Sequence, residues 1–343
     1  MELRKLQVVG NASFSVTLPP DWIKENKLKP SDQISITKED DGSLRLVPGI
    51  IREEEKEVKI KIDADRCKDP GLLKRLIIGG YNRGCDSIEV VSKNTISENH
   101  RKEINNATDG LMGMGIVEST SNRVMLQSVI DPSKFPMKSL LKRLYELVSS
   151  MYGDAIQALN DKDSSLAATI IQRKNEADKI YWLAGRQIAA AAYDKTVLKK
   201  IGLKGVPDLA FHVSISHRIW AVSYYTMDIA DNQLALGKNE INDEDLQKVI
   251  RLGKMTNDIF SNACEAFFNG DVVLANRTVE ALEPFEEKRE ELITKLGPRV
   301  FKDGQVGLHL INIIRGLNRI ARYGKFIAEI TIDNSTAEKS NLP

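Results

Sequence analysis

An internal duplication constrains this chain more than any other feature, because a repeated unit decides architecture before any single element does. At a fixed offset of 108, Ala155, Ala158, Asp163, Leu166 and Ala167 recur as Ala263, Ala266, Asp271, Leu274 and Ala275. The matched window reads as a helix end, a tight turn and the start of the next helix. Asp163 and Asp271 suit N-caps, whose side-chain oxygens accept the first unpaired N–H groups of a helix. A second match follows in the same order. Tyr225, Ile229, Ala230 and Asp231 recur as Tyr323, Ile327, Ala328 and Glu329 at an offset of 98, which implies a shorter connection before the last helix. From Pro136 onward the apolar period is helical. It predicts six helices, at roughly 136–160, 163–197, 207–236, 243–269, 271–296 and 305–332. Together these features predict an all-helical region built from one three-helix unit used twice.

The residues before this region pattern differently. Residues 1–49 are β-rich. Leu3 to Val9 and Phe14 to Leu18 alternate around Gly10-Asn11, with Arg4 and Lys5 placed on the first strand. A short helix is expected at Trp22 to Asn26, and a hairpin from Gln33 to Val47 turns at Asp40-Asp41-Gly42. Some 49 residues hold little core, so this module is expected to need a partner chain. Residues 50–131 alternate as β-α-β-α-β-β, which predicts a small α/β layer. Gly79-Gly80 and Gly84 read there as helix-end and turn glycines. The predicted organisation is therefore multidomain: 1–49, 50–131, a helical domain at 132–333, and a polar, disordered tail at 334–343.

Composition excludes several function classes. A net charge of +1 leaves no basic footprint over the whole chain, so any nucleic-acid contact must be local. Cys67, Cys85 and Cys264 are far apart and odd in number, which predicts reduced, buried thiols. The charged residues after Met1 lead to no signal peptide being expected, no apolar run reaches membrane length, and a cytoplasmic protein is expected. His212 and His217 are five apart and do not share a helix face. No nucleophile elbow, zincin, kinase or P-loop pattern occurs. Neither catalytic residues nor a cofactor are expected.

The helical residues resemble the PhoU family of phosphate-signalling regulators. The resemblance rests on Glu176-Ala177-Asp178 with Tyr181, Trp182 and Leu183, and on Arg315, Arg319, Ile320, Phe326, Ile327, Ala328 and Glu329. It implies two three-helix bundles side by side. The N-terminal module resembles a SpoVT/AbrB-type domain, through Arg4-Lys5-Leu6, the Gly10 to Ser13 loop, Ser15 to Pro19, and Asp41-Gly42-Ser43-Leu44. That resemblance implies a swapped-hairpin homodimer that binds DNA through Arg4, Lys5, Asn11, Ser13, Ser15 and Lys24. The combination implies a transcriptional regulator of phosphate uptake. The alternative is an adaptor that does not bind DNA and restrains a phosphate transporter or signalling partner by protein contact.

PhoU-type proteins also carry iron or zinc clusters held by acidic pairs at i and i+4 on facing helices. The corresponding positions here are Lys174, Asp178, Trp220 and Tyr224 in the first copy, and Leu282, Glu286, Asn318 and Arg322 in the second. Only Asp178 and Glu286 keep a carboxylate, so no metal is expected. Two readings of the remaining charges stay open: Lys174 pairs with Asp178 and Arg322 with Glu286 in place of a metal, or all four are independent solvated charges.

Overall fold

A computed structural model describes residues 2–10, 12–38, 42–49, 58–237, 243–300 and 304–336. The chain divides into two compact units, Met1–Lys56 and Glu57–Pro343.

In the first unit, β1 (Gln7–Val9) pairs antiparallel with β2 (Ser13–Ser15), and β3 (Ile34–Lys38) with β4 (Leu44–Pro48). The turn after β1 uses Gly10 at φ +68°, a conformation that glycine adopts without strain. Helix α1 (Pro20–Glu25) starts on a proline, whose missing N–H costs nothing in a first turn. The β1 and β2 strands are shorter than the alternation predicts, and Arg4 and Lys5 precede β1 rather than lie on it. Only three residues on each side face a partner across the turn. A strand extends only where its N–H and C=O groups find another strand. Asn11, Asp40 and Asp41, expected in turns, lie outside the described residues.

The second unit begins with a small mixed sheet. Its elements are β5 (Lys59–Asp63), α2 (Leu72–Asn82), β6 (Ser87–Val91), α3 (Glu98–Asp109), β7 (Met114–Ser119) and β8 (Arg123–Ser128). The order across the sheet is β5-β6-β8-β7, parallel between β5 and β6 and antiparallel elsewhere. Helix α2 is the crossover that a parallel pair requires. The expectation for Gly79-Gly80 needs correction, since both lie inside α2. A Cβ on Gly80 would stand 2.5 Å from Ile60 Cδ1, so this glycine lets the helix lie directly on the sheet.

Eight helices follow among the described residues: α4 (Met137–Asp161), α5 (Ser164–Tyr193), α6 (Lys195–Lys200), α7 (Val206–Leu236), α8 (Asp243–Asn269), α9 (Val272–Glu280), α10 (Leu282–Val300) and α11 (Gly304–Ser335). The duplication is visible at its turns. Lys162 and Gly270 both take left-handed φ, at +54° and +67°. Asp163 then accepts from Ser165 N and Leu166 N, and Asp271 from Leu274 N.

Two predicted helices are each broken in two. The second stops at Asp194, which is extended and caps α6 through Thr196 N. The fifth breaks at Ala281. Pro284 cannot donate to the Glu280 carbonyl four residues back, and its ring crowds that carbonyl. Helix α11 continues to Ser335, into the residues expected to be disordered. Helix α6 has no counterpart among the described residues of the second copy, where only three residues separate α10 from α11, and this shorter connection accounts for the drop in offset from 108 to 98.

Helix α7 packs on α5 and α11, and α11 on α8. Tyr225 and Tyr323, matching residues of the two copies, meet at 5.8 Å between ring centroids. One continuous apolar core runs through both bundles, including Leu141, Val148, Ile215, Ile229, Phe260, Phe285, Ile313 and Ile327.

The sheet layer is fastened to the first bundle by Arg186 of α5. Its guanidinium is buried and donates to the carbonyls of Tyr81 and Cys85 at 3.2 and 2.6 Å, and to Asp86 at 3.0 Å. It also lies 5.1 Å from the Tyr81 ring centroid. Burial pushes the Tyr81 phenol up to about 12, so it stays a hydrogen-bond donor, to the Met112 carbonyl. No helix among the described residues is long and apolar enough to cross a membrane.

Candidate functional site

Four residues at the expected cluster position of the first copy lie on α5 and α7. Positions four apart share one helix face, which sets Lys174 beside Asp178. The Lys174 ammonium donates to both Asp178 oxygens at 2.7 Å. From the facing helix, Trp220 Nε1 donates to Asp178 Oδ1 at 2.6 Å. The ammonium also sits 5.2 Å from the Trp220 ring centroid, where the negative face of the ring attracts it. Tyr224 takes no part in this set. It is exposed and meets the Tyr225 ring edge-on.

The second copy reaches the same end by another route. Leu282 is buried at the start of α10 and contributes no charge. Arg322 of α11 donates to Glu286 of α10 at 2.5 Å. Asn318 stands where the first copy has Trp220, and its Oδ1 is buried without a protein partner. The neutralising cation therefore comes from the carboxylate's own helix in the first copy and from the facing helix in the second.

Both ion pairs are present. The donor set does not fit the multinuclear cluster that the resemblance implies. Each copy offers one carboxylate, already engaged by a cation. Among the described residues, no group of three His, Cys, Asp or Glu side chains is placed to hold an ion.

A cleft of about 560 Å³ opens beside the first pair, between α2 and α3 of the sheet layer and α5 of the bundle. Asp178 and Trp182 line it together with Lys74, Asn106 and Asn175. Tyr181 stacks on Trp220 at 4.5 Å and 14°, with Trp182 4.8 Å from Tyr181. Sequence reasoning missed this cluster. Its signal was present: two of the chain's three tryptophans fall on helices expected to face one another.

His212 Nδ1 lies 2.8 Å from the Asp208 carbonyl, and burial holds its pKa below the usual histidine range. All three cysteines are free and buried, and burial pushes the Cys264 thiol well up.

In the N-terminal unit, Arg4, Lys5, Ser13 and Lys24 are exposed and Ser15 is partly exposed. Arg4 is paired with Glu2 at 2.6 Å, Ser13 and Ser15 lie on β2, and Lys24 is on the last turn of α1. Asn11 lies outside the described residues. No described residue of this unit is buried, and Leu3, Leu6, Val8, Phe14, Ile36 and Leu44 are all exposed.

Comparison with known proteins matches the helical repeats and the N-terminal module. A family model described as the PhoU domain matches residues 141–231 and 249–331, together half of the chain. A second, described as "Antidote-toxin recognition MazE, bacterial antitoxin", matches residues 7–56. The phosphate-specific transport system accessory protein PhoU homolog 1 of Thermotoga maritima is 24% identical over 200 residues, covering 57% of this chain and 84% of that protein. Crystal structures of PhoU from Pseudomonas aeruginosa and of the phosphate transport system regulatory protein PhoU from Streptococcus pneumoniae share the fold. The TM-scores are 0.52 and 0.50, at 20% and 22% identity. The first covers 59% of this chain and the second 60%, and each match takes in 96% of the solved chain. The duplicated caps, the two matched helical segments and the N-terminal match agree: this chain belongs to the PhoU family and carries a MazE-antitoxin-like domain ahead of its two PhoU repeats.

Proposed function

We propose that this protein is a dimeric, DNA-binding regulator of phosphate uptake and homeostasis, not an enzyme. The observation that carries this reading is the union, in one chain, of two PhoU repeats and an N-terminal module with no core of its own. A module that exposes Leu3, Leu6, Val8 and Phe14 as a single chain is completed by a second copy. Two-fold pairing would double Arg4, Lys5, Asn11, Ser13, Ser15 and Lys24 across a symmetric DNA site. The repeats then serve as the docking or sensing platform. Their former cluster positions, closed by Lys174 and Arg322, support a platform that works without metal.

The second reading is an adaptor that dimerises through the same module and acts on a phosphate transporter by protein contact. Two observations favour it. The module has seven basic and seven acidic residues over 1–49, and the model it matches is described by recognition of a toxin protein.

Mapping chromatin occupancy in high and low phosphate separates the two. Regulation of uptake predicts occupancy near transporter genes, with a gel shift on those sites that Arg4→Ala weakens. No occupancy, no shift at low salt and a co-purifying transporter ATPase would reject the DNA reading and leave the adaptor.

A further inference from the structure

The duplication exposes a difference between the two copies that the cluster positions do not involve. In the first copy, the seam between α4 and the C-terminal half of α5 is covered by the chain itself. Helices α2 and α6 pack on α5, and the segment before α4 is held there by Gln187, whose Nε2 donates to the carbonyls of Pro132 and Phe135 at 2.5 and 2.8 Å. Leu140, Ile180, Leu183 and Gln187 are buried along that seam. At an offset of 108 these four positions are Lys248, Lys288, Glu291 and Lys295. Among its described residues the second copy has no counterpart of α6, and α10 packs on α8, α9 and α11 of its own repeat. Among the described residues, the matching seam between α8 and α10 is an open groove of about 380 Å³.

The walls of this groove are basic and its floor is apolar. Lys248, Arg251, Lys288 and Lys295 line it, with Glu291 as the one carboxylate. Lys248 is neutralised by Glu244 and Asp245, and Lys288 leans to Glu291 at 3.4 Å. Arg251 on one wall and Lys295 on the other form no ion pair among the described residues. Leu252 and Leu292 are buried beneath them, and Met255 is half-buried. In a chain of net charge +1, this is a local concentration of positive charge.

We propose that the α8/α10 groove is a docking site for an acidic, amphipathic helix of a partner protein. Charge complementarity selects carboxylates for the rim. The apolar floor selects a peptide over a free polyanion, because leucine and methionine give an inorganic phosphate chain nothing to bind. The stretch from Lys248 to Met255 spans about 10 Å, roughly two helical turns, which suits apolar anchors at i, i+4 and i+7. Met255 is a side chain that adapts its shape to such anchors. This site does not depend on how the N-terminal module acts.

The test is fluorescence anisotropy with the full-length protein and a labelled acidic peptide of about 14 residues, with leucines at i, i+4 and i+7 between glutamates. A scrambled peptide of equal composition and inorganic tripolyphosphate are the comparisons. Binding of the patterned peptide is expected, weakened about tenfold or more by scrambling, by Arg251→Glu with Lys295→Glu, and separately by Met255→Asp. The pair Arg251→Lys with Lys295→Arg should retain it, and circular dichroism confirms that each variant is folded. Equal binding of both peptides, no binding of the patterned peptide up to about 1 mM, or tripolyphosphate binding that is insensitive to Met255→Asp would overturn the proposal.

Discussion

Gly324 shows how much one missing methyl group decides in this fold. A Cβ there would stand 2.9 Å from Ile259 Cγ2 and 3.0 Å from the Ile259 carbonyl oxygen, a backbone atom that cannot swing away. Alanine favours a helix over glycine by about 1 kcal/mol, and the clash outweighs that gain. Gly324→Ala should therefore destabilise the protein by about 1–3 kcal/mol, read as a shift in urea midpoint. His212 gives a second prediction, with its sign set by burial. Its folded pKa lies below the unfolded value, so its contribution to stability is complete above about pH 6.5 and is lost as pH falls through the folded pKa. The melting temperature should drop on acidification below that point, and His212→Phe should flatten that part of the profile. An unchanged profile would rule out His212 as its source. At Lys174 and Arg322, the resemblance raised the pairing, because a cation stands where the family has a carboxylate, but independent solvated charges fitted the sequence equally well until the helices were placed. Metal analysis of protein purified without chelator is expected to find iron and zinc well below one equivalent. The resemblance set Trp220 opposite Asp178, but its role as the carboxylate's second partner was not legible, since a tryptophan in an apolar helix reads as core until its indole N–H is placed.

At the scale of elements, the two aspartate caps make equal predictions. Asp163→Ala and Asp271→Ala should each cost about 1 kcal/mol, because each leaves first-turn N–H groups unpaired. Cap and turn chemistry is local, which is why the duplicated turn could be read from residues alone. The breaks at Asp194 and Ala281 are local too, and their signals, an aspartate at a helix end and Pro284, are plain in retrospect. They were masked because a helical apolar period continues across both. The shortened β1 and β2 strands have a different cause. Alternation marks residues able to form a strand, but pairing decides how many do, and it depends on a second strand that one chain's pattern does not supply. Gly80 was misread for a similar reason, since its role is set by Ile60 on a strand twenty residues earlier.

For the whole molecule, Arg186 is the tie between the sheet layer and the helices. Arg186→Leu would strip donors from the Tyr81 and Cys85 carbonyls and leave them buried, at a cost of about 2–4 kcal/mol. Hydrogen exchange should then rise first in α2 and β6, ahead of α8 and α11. The N-terminal unit gives the second prediction at this scale. Full-length protein should sediment as a dimer, and polar substitution of Leu6 and Phe14 should shift it toward monomer while residues 58–336 keep their helical content. If DNA is the partner, affinity should fall steeply as salt rises, by the counterion release that phosphate contacts cause.

The meeting of Tyr225 and Tyr323 carries one more consequence. Matching helices of the two copies pack against each other as the subunits of a symmetric dimer would, yet a single chain encodes both. In a true homodimer any substitution appears twice, so both sites must change together. Fusion removes that coupling. One half could acquire Lys174 while the other acquired Arg322, and one could cover its seam while the other left it open. The paired repeats have the plan of a symmetric object and the freedom to give its two faces different work.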